Sequence, residues 1–262
     1  MTRALLPVFS LWWREIIRFL RQRSRVTGSL LQPLLFWLLL GAGLGGSFRP
    51  QGGATNADYL EYAYTGTLVL IVLFTAIFST ISVIEDRREG FLQAVLVAPV
   101  SRSTIVLGKV LGGTTLAVGE ALLFLALAPL IGVSLSLGVV LRIAALLTAI
   151  GFALTALGFI ISWRLDTTAG FHAIMNLLLL PMWLLSGAFF PANGSMKALA
   201  YLMAANPLTY GVAALRRLLH SGNPGALAGV PSMQTSIIVT IAFAVVMFAA
   251  AVVTARKRGV VI

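Results

Sequence analysis

The feature that most constrains this chain is a series of apolar segments, each long enough to cross a bilayer as a helix. A membrane-spanning α-helix needs about 20 consecutive, mostly apolar residues. Six segments of the 262-residue chain meet this length, and they cover residues 27–47, 62–84, 105–133, 139–163, 170–190 and 233–255. The composition agrees, since 59% of the residues are hydrophobic and 10% are charged, whereas soluble domains carry about 25% charged residues. The sequence therefore predicts an all-α integral membrane protein with six transmembrane helices.

The connections between these segments are short. Five residues separate the third segment from the fourth, and the polar stretch 164–169 separates the fourth from the fifth. Such connections make consecutive helices antiparallel neighbours and leave no room for an inserted soluble domain. We therefore expect residues 1–262 to form a single transmembrane domain. The chain has no cysteine, which excludes disulfides, thiolate metal sites and a cysteine nucleophile.

The basic residues predict the orientation in the membrane. Nineteen Lys and Arg stand against eight Asp and Glu, and thirteen of the nineteen fall on the inner side if the N-terminus is inside. Cytoplasmic loops of membrane proteins carry this excess of Lys and Arg, so we expect both termini to be cytoplasmic. Because the basic residues lie beside apolar runs, membrane topology explains the net charge of +11 without a nucleic-acid partner.

An N-terminal arm, residues 1–26, precedes the first apolar segment. Its arginines recur at helical spacing, at Arg14, Arg18, Arg21 and Arg25, while Trp13, Ile16, Ile17 and Leu20 fill another face. This pattern predicts an amphipathic helix in the headgroup plane, in contact with membrane lipids. Two interpretations stay open, a plain topology anchor and a helix that also touches a cytoplasmic partner.

The inner loop at residues 85–104 begins with charges and continues with a short apolar stretch. Phe91, Leu92, Val95 and Leu96 share one side of a short helix that Pro99 would end. Either Ser101 or Ser103 can cap the helix that follows. An apolar ridge on the cytoplasmic surface is suited to docking into a groove of another protein. The alternative is a helix that lies passively on lipid.

This loop also carries a family resemblance. Residues 88–92 (Arg-Glu-Gly-Phe-Leu), residues 97–102 (Val-Ala-Pro-Val-Ser-Arg) and the pair Gly108-Lys109 resemble the signature loop of type-2 permeases of ATP-binding-cassette (ABC) exporters. A second match follows the fifth segment, with Ser186-Gly187, Phe190-Pro191, Asn206-Pro207-Leu208, Tyr210 and Arg216. The resemblance covers nearly the whole chain.

The resemblance implies roles for these segments. The loop at 85–104 would be a cytoplasmic coupling helix that contacts a separate ABC ATPase subunit, and the arm would be a connecting helix beside it. The contacting residues would be Glu85, Arg87, Arg88, Glu89, Phe91 and Leu92. Residues 188–217 would form a helical hairpin that dips into the outer leaflet. An ordinary outer loop with an interfacial helix is the alternative for that segment.

The resemblance also implies partners. Two ATPase copies and a second permease copy would complete an exporter in the prokaryotic plasma (inner) membrane. ATP and Mg²⁺ would be bound by the ATPase, because Gly108-Lys109 here continues as Val110 and lacks the spacing of a phosphate-binding loop. The cargo class would be an amphipathic drug, a lipid or a glycan-linked lipid.

Candidate pathway residues lie inside the apolar segments. Glu120 is an ionisable residue near the middle of the third segment, and such residues are costly in a bilayer and usually functional. A structural hydrogen bond and a substrate contact both stay open for it. Further candidates on the fifth segment are Asn176, Met182 and Phe189. Asn176 shares a helix face with His172.

No catalytic or metal site is expected, because the two histidines lack metal-ligand spacing. Gly108 and Gly112 have the spacing that permits close helix approach. A secondary transporter, a membrane enzyme and a scaffold without transport remain as other functions. The first lacks internal repeats, and the second lacks a paired nucleophile and base.

Overall fold

A computed structural model describes residues 2–44, 56–133, 135–188, 197–220, 227 and 229–257. Over these residues the chain forms α-helices joined by turns, with a short 3-10 helix at Ala128–Ile131. The helices are α1 (Thr2–Arg21), α2 (Arg23–Leu44), α3 (Asn56–Ser79), α4 (Ile81–Arg88), α5 (Phe91–Val97), α6 (Arg102–Leu125), α7 (Leu137–Arg164), α8 (Thr168–Leu184), α9 (Lys197–Ala205), α10 (Pro207–Leu219) and α11 (Met233–Lys257).

The long apolar helices confirm an all-helical membrane protein. Four helical stretches of the described residues are long and apolar enough to cross a bilayer: Tyr62–Arg88, Arg102–Leu125, Leu137–Arg164 and Met233–Lys257. They coincide with the second, third, fourth and sixth predicted segments. The first and fifth coincide with shorter apolar helices, at Val26–Leu39 and Thr168–Leu184. Six spans therefore stay a prediction.

The predicted hairpin region contains a bent helix pair. α9 and α10 meet at 86°, and together they qualify as a broken span or a re-entrant loop. Asn206 begins α10, because its side chain accepts a hydrogen bond from Leu208 N at 3.0 Å, and Pro207 occupies the first helical position. The start of the predicted segment, residues 189–196, lies outside the described residues.

α3 is the central helix of the bundle. Its side chains are buried on almost every side, and Leu68, Ile71 and Leu73 are among the largest fully buried ones. α3 packs against α2, α6, α7, α8 and α10. α11 lies at the edge, where it packs along α7 and leaves Ile238 and Val245 exposed. An apolar helix that is buried all round belongs to the core, whereas an exposed apolar face of this length is suited to lipid.

The loop between α4 and α6 contains the predicted short helix, α5. Gly90 precedes it with φ of 78°, a left-handed conformation that glycine adopts at little cost. Ala98 is extended before Pro99, as expected for a residue that precedes proline. Ser101 caps α6 by accepting a hydrogen bond from Thr104 N at 3.2 Å. The predicted stop before Pro99 is confirmed, and of the two predicted capping residues the structure uses Ser101.

The apolar side of α5 packs partly against the bundle. Leu92 is only 3% exposed and belongs to a cluster with Val83 and Val106, against which Leu96 also packs. Phe91 and Val95 stay half-buried, so the ridge is only partly removed from water by its own chain. The exposed side of α5 instead carries Val97, which is 86% exposed.

α1 packs closely along α6. Its buried face carries Leu11, Glu15 and Phe19. A Cβ atom added to Gly108 would lie 2.8 Å from Leu11 Cβ, and one added to Gly112 would lie 2.6 Å from Glu15 Cβ. Side chains at these positions would push the helices apart, so the predicted role of the two glycines in close helix approach is confirmed.

We predict that Gly112→Ala destabilises the protein, whereas Gly119→Ala on the same helix does not. Both changes raise helix propensity by about 1 kcal/mol, but a Cβ at Gly119 meets no atom within 4 Å. Overpacking against Glu15 is expected to cost about 1–3 kcal/mol. Thermal unfolding of the two variants in detergent measures the difference, and equal melting temperatures would contradict this account of the contact.

Candidate functional site

Seven charged side chains meet at the end of the bundle where α1, α4, α5 and α6 come together, here called the arm end. We name this set the ion cluster, and its members are Arg14, Glu15, Arg18, Glu85, Asp86, Glu89 and Lys109. Three cations therefore face four carboxylates. The cluster joins the N-terminal arm to the loop at residues 85–104.

Asp86 is the centre of the ion cluster. Its side chain is fully buried, and it accepts hydrogen bonds from the Nη1 and Nη2 atoms of Arg14 at 3.0 and 2.7 Å. Arg18 donates to it at 2.6 Å, and Lys109 Nζ also binds it. Lys109 reaches Glu15 Oε1 on α1 at 2.5 Å. Buried charges are tolerated only when they are paired and hydrogen-bonded, and here each one is.

The rim of the ion cluster holds the start of the loop. Arg18 Nη2 lies 2.8 Å from Glu85 Oε2 and 3.3 Å from Glu89 Oε1. Burial alone would lower the pKa of Arg18, but the carboxylates of Asp86, Glu85 and Glu89 outweigh burial and raise that pKa above its ordinary value. Arg18 is therefore a permanent cation.

Arg14 also fixes α5 itself. Its guanidinium carbon lies 3.7 Å from the centre of the Phe91 ring, which is a cation–π contact. The same guanidinium binds Asp86 on α4. One arginine of the arm thus holds both helices of the loop.

The other side of the loop is attached to the end of α7. Arg87 Nη2 donates to Trp163 O at 2.6 Å, and its Nη1 donates to Leu165 O at 3.1 Å and to Asp166 Oδ1 at 3.0 Å. Arg88 Nε donates to Asp166 O at 3.2 Å. Cations are favoured at these carbonyls because a helix C-terminus carries partial negative charge.

The structure brings the six predicted interface residues together at the arm end. Glu85, Arg87 and Arg88 point back to other parts of the chain, Phe91 lies under Arg14 and Leu92 is buried, as described above. Sequence reasoning missed Glu15, Asp86 and Lys109 as parts of the site. Two signals were present, since Glu15 is the one carboxylate of the arm and Lys109 is the one cation of the third apolar segment.

A cavity of about 340 Å³ opens between α2, α3 and α8, with the end of α1 at its edge. Its aromatic lining is Phe19, Phe36, Phe74, Phe78 and Trp183. Its polar lining includes Ser29, Gln32, Thr75 and His172. The His172 ring lies 5.2 Å from the Phe78 ring between centroids. Pockets with apolar walls and a few polar groups are typical small-molecule sites.

Glu120 lies behind the wall of this cavity. Its carboxyl oxygens are 2.5 Å from Ser29 Oγ and 2.5 Å from Thr75 Oγ1, and both hydroxyl residues line the cavity. Asn176 is exposed on α8, and the backbone of half-buried Met182 accepts a hydrogen bond from Asn206 Nδ2 at 2.6 Å. Phe189 lies outside the described residues. Of the three predicted pathway residues that the structure describes, Glu120 alone contacts residues that line the cavity through hydrogen bonds.

The opposite end of the bundle is organised around a backbone carbonyl. Gly187 O accepts hydrogen bonds from Tyr62 Oη at 3.0 Å and from Arg216 Nη2 at 3.1 Å. The Arg216 guanidinium carbon also lies 4.0 Å from the centre of the Tyr62 ring. These contacts attach α10 to the ends of α3 and α8, so residues of the second sequence match hold the bent helix pair in place.

Comparison with known proteins identifies the family to which this chain belongs. Residues 7–220 match the family described as ABC-2 type transporter. The chain is 29% identical over 217 residues to a putative transport permease ycf38 of Cyanophora paradoxa, covering 80% of this chain and 73% of the relative. It is 23% identical over 210 residues to nodulation protein J of Rhizobium leguminosarum bv. viciae, covering 79% and 80%. It is 26% identical over 200 residues to nodulation protein J of Rhizobium meliloti (strain 1021), covering 75% and 74%.

We predict that Asp86→Asn is strongly destabilising, whereas Asp166→Asn is not. The first change removes the buried carboxylate that three cations share, and breaking a buried ion pair costs about 3–5 kcal/mol. The second removes a carboxylate that is 83% exposed, and such a pair contributes less than about 1 kcal/mol. The free energy of unfolding, measured by denaturant titration in mixed micelles, distinguishes the two. Similar losses in both variants would show that the ion cluster is not central.

Proposed function

Because the chain belongs to the ABC-2 type transporter family, we propose that it is the permease subunit of an ABC exporter, driven by a separate ATPase subunit. The observation that carries the proposal is the construction of the arm end. The short helix α5 is held there by α1, through the contact of Arg14 with Phe91, and by α4, α6 and α7, through the cluster that contains Leu92. Its remaining face points outward. An element held in this way is suited to receiving force from a partner.

The docking face of α5 is the side opposite to Leu92. Val97 is 86% exposed, and Gln93 and Ala94 beside it are exposed as well. Glu89 adds a carboxylate at the start of α5 whose side chain is 58% exposed. A short helix with an apolar tip and a charged edge fits a groove on another protein. We place the ATPase contact on this face, with Phe91, Leu92 and Arg87 as the support behind it.

The ion cluster gives the arm a role in coupling. In the structure Arg14 and Arg18 bind carboxylates of the loop. Their charges are therefore paired chiefly within the chain and not with lipid phosphates. The exposed apolar residues of α1, among them Phe9, Trp13 and Leu20, remain available for the membrane surface. The arm therefore fits the interpretation in which it contacts the coupling element, and it rests on cytoplasmic lipid at the same time.

The proposed exporter contains two permease copies and two ATPase copies in the prokaryotic plasma membrane, with the arm end cytoplasmic. ATP would bind to the ATPase together with Mg²⁺, and its hydrolysis would supply the free energy. The residues of this chain transmit movement from α5 through the ion cluster to α1 and α6. Rigid-body movement of packed helices is a common form of such switching.

The aromatic cavity is the candidate cargo site. It is bounded by rings and hydroxyl or amide groups, and among the described residues no Asp, Glu, Lys or Arg lines it. This chemistry suits the apolar part of an amphipathic drug or lipid, with a neutral polar group nearby. A charged headgroup would lie outside it.

We predict that Val97→Asp abolishes co-purification of the ATPase, whereas Val97→Thr preserves it. Aspartate places a charge on the apolar tip of α5, while threonine keeps its shape. Because Val97 is 86% exposed, neither change should lower the melting temperature of the permease alone. Co-expression and affinity purification of the permease measure the association. An ATPase that stays bound to a folded Val97→Asp variant and couples normally would refute the coupling assignment.

We predict that Leu180→Trp in the cavity wall reduces ATP-dependent transport, whereas Leu123→Trp does not. Leu180 lines the cavity and Leu123 is an exposed side chain of α6 outside it. The added ring occupies part of the cavity without touching the arm end, so the ATPase should still co-purify. The assay follows a panel of fluorescent lipids and amphipathic dyes in proteoliposomes. Equal transport by both variants would place the pathway elsewhere.

A further inference from the structure

Glu120 lies within hydrogen-bond distance of two hydroxyl side chains. Ser29 Oγ lies 2.5 Å from Glu120 Oε1 and 3.0 Å from the backbone carbonyl oxygen of Val26. Thr75 Oγ1 lies 2.5 Å from Glu120 Oε2. Glu120 is 5% exposed, and among the described side chains no cation pairs with it. The three groups come from three helices, α2, α3 and α6.

The number of hydroxyl and carboxyl hydrogens around Glu120 distinguishes two hydrogen-bond arrangements. A serine hydroxyl has one hydrogen and can also accept hydrogen bonds. If Glu120 were a carboxylate, that single hydrogen would have to serve both Glu120 Oε1 and Val26 O. If Glu120 carries a proton on Oε1, it donates to Ser29, Ser29 donates to Val26 O, and Thr75 donates to Oε2. Only the second arrangement gives every contact its own hydrogen.

The surroundings favour the same arrangement. An isolated carboxylate in an apolar medium is strongly destabilised, and such groups usually become neutral instead. The side wall that separates Glu120 from the cavity consists of the neutral hydroxyl residues Ser29 and Thr75. His172 is the titratable residue of the cavity lining, and it lies on α8, across from the helices that carry the hydroxyls.

We propose that Glu120 is a neutral carboxylic acid whose proton links α6 to α2 and thereby positions the Ser29 and Thr75 wall of the cavity. Glu120 is a positioning residue, because its hydroxyl partners line the cavity and it does not. A glutamine can reproduce this pattern, since its NH₂ group donates to Ser29 and its carbonyl accepts from Thr75. A purely ionic role could not be reproduced in this way. The positioning role rests on the transport proposal, whereas the protonation state does not.

Infrared spectroscopy of the full-length protein in proteoliposomes tests the protonation state directly. The spectrum of Glu120→Gln is subtracted from that of the wild type at neutral pH. We expect a C=O stretching band of a protonated carboxylic acid that is present only in the wild type. Thr75→Val should move this band to higher frequency, because the carbonyl loses its hydrogen-bond donor. A difference spectrum that contains only carboxylate bands would overturn the proposal.

Variants at Glu120 provide a second, independent readout. Glu120→Gln should keep the melting temperature and the ATP-dependent transport of the wild type, whereas Glu120→Ala should lower both. A fall with glutamine as large as with alanine would overturn the proposal, because it would show that a charge is required. The infrared band and the melting temperature need no cargo, so their failure is distinct from failure of the transport proposal.

Discussion

The interaction on which the rest of this structure depends is the buried contact of Asp86 with Arg14, Arg18 and Lys109. These partners come from α1, which is distant in sequence from Asp86, and from α6, which follows the loop. A carboxylate buried at the end of a membrane helix is stable only if cations surround it. The cations in turn require α1 to lie directly on α6, which the absence of side chains at Gly108 and Gly112 permits. Loss of any one of these contacts is therefore expected to destabilise the arm, the short helix α5 and the start of α6 together.

Polar groups away from water must be paired, and this rule also applies in the interior and at the far end of the bundle. The chemical nature of the pairs differs between these places. At the arm end the partners are ions, and the pairs tie a loop to a surface helix. In the interior a carboxyl group is matched by two hydroxyls behind an aromatic cavity. At the far end, Gly187 O gathers Tyr62 and Arg216. Each level joins helices that the apolar contacts alone would leave free to slide, because dispersion and burial carry little directional information.

Much of the fold could be predicted from single segments, because local rules govern it. Segment length indicated the apolar helices, Pro99 indicated the end of α5, and the hydroxyl of Ser101 indicated the cap of α6. The direction of the α5 ridge could not be predicted in this way. An apolar ridge gains similar free energy from burial against its own chain or against a partner, and only the position of Val83 and Val106 decides between them.

The ion cluster and the cavity were also beyond local rules. Glu15 and Lys109 are separated by more than ninety positions in the sequence, and nothing in either segment specifies the other. Arg14 and Arg18 could be placed on one helix face by their spacing, but that spacing fits lipid phosphates as well as Asp86. The lining of the cavity is likewise drawn from five helices. Sequence patterns locate such residues on helix faces, and tertiary packing decides what each face meets.

We propose that the arm and the loop at residues 85–104 move as one body when the proposed ATPase subunit acts. The chain contains no cysteine, so paired spin labels can be introduced at Leu20→Cys, which is exposed on α1, and at Val100→Cys, which follows α5 and lies outside its docking face. A second pair, at Val100→Cys and Tyr201→Cys on α9, serves as the reference for movement across the bundle. Pulsed electron paramagnetic resonance of the reconstituted complex should give the same arm-to-loop distance without nucleotide and with trapped ATP, while the reference distance changes. An arm-to-loop distance that changes with the nucleotide state would contradict the account.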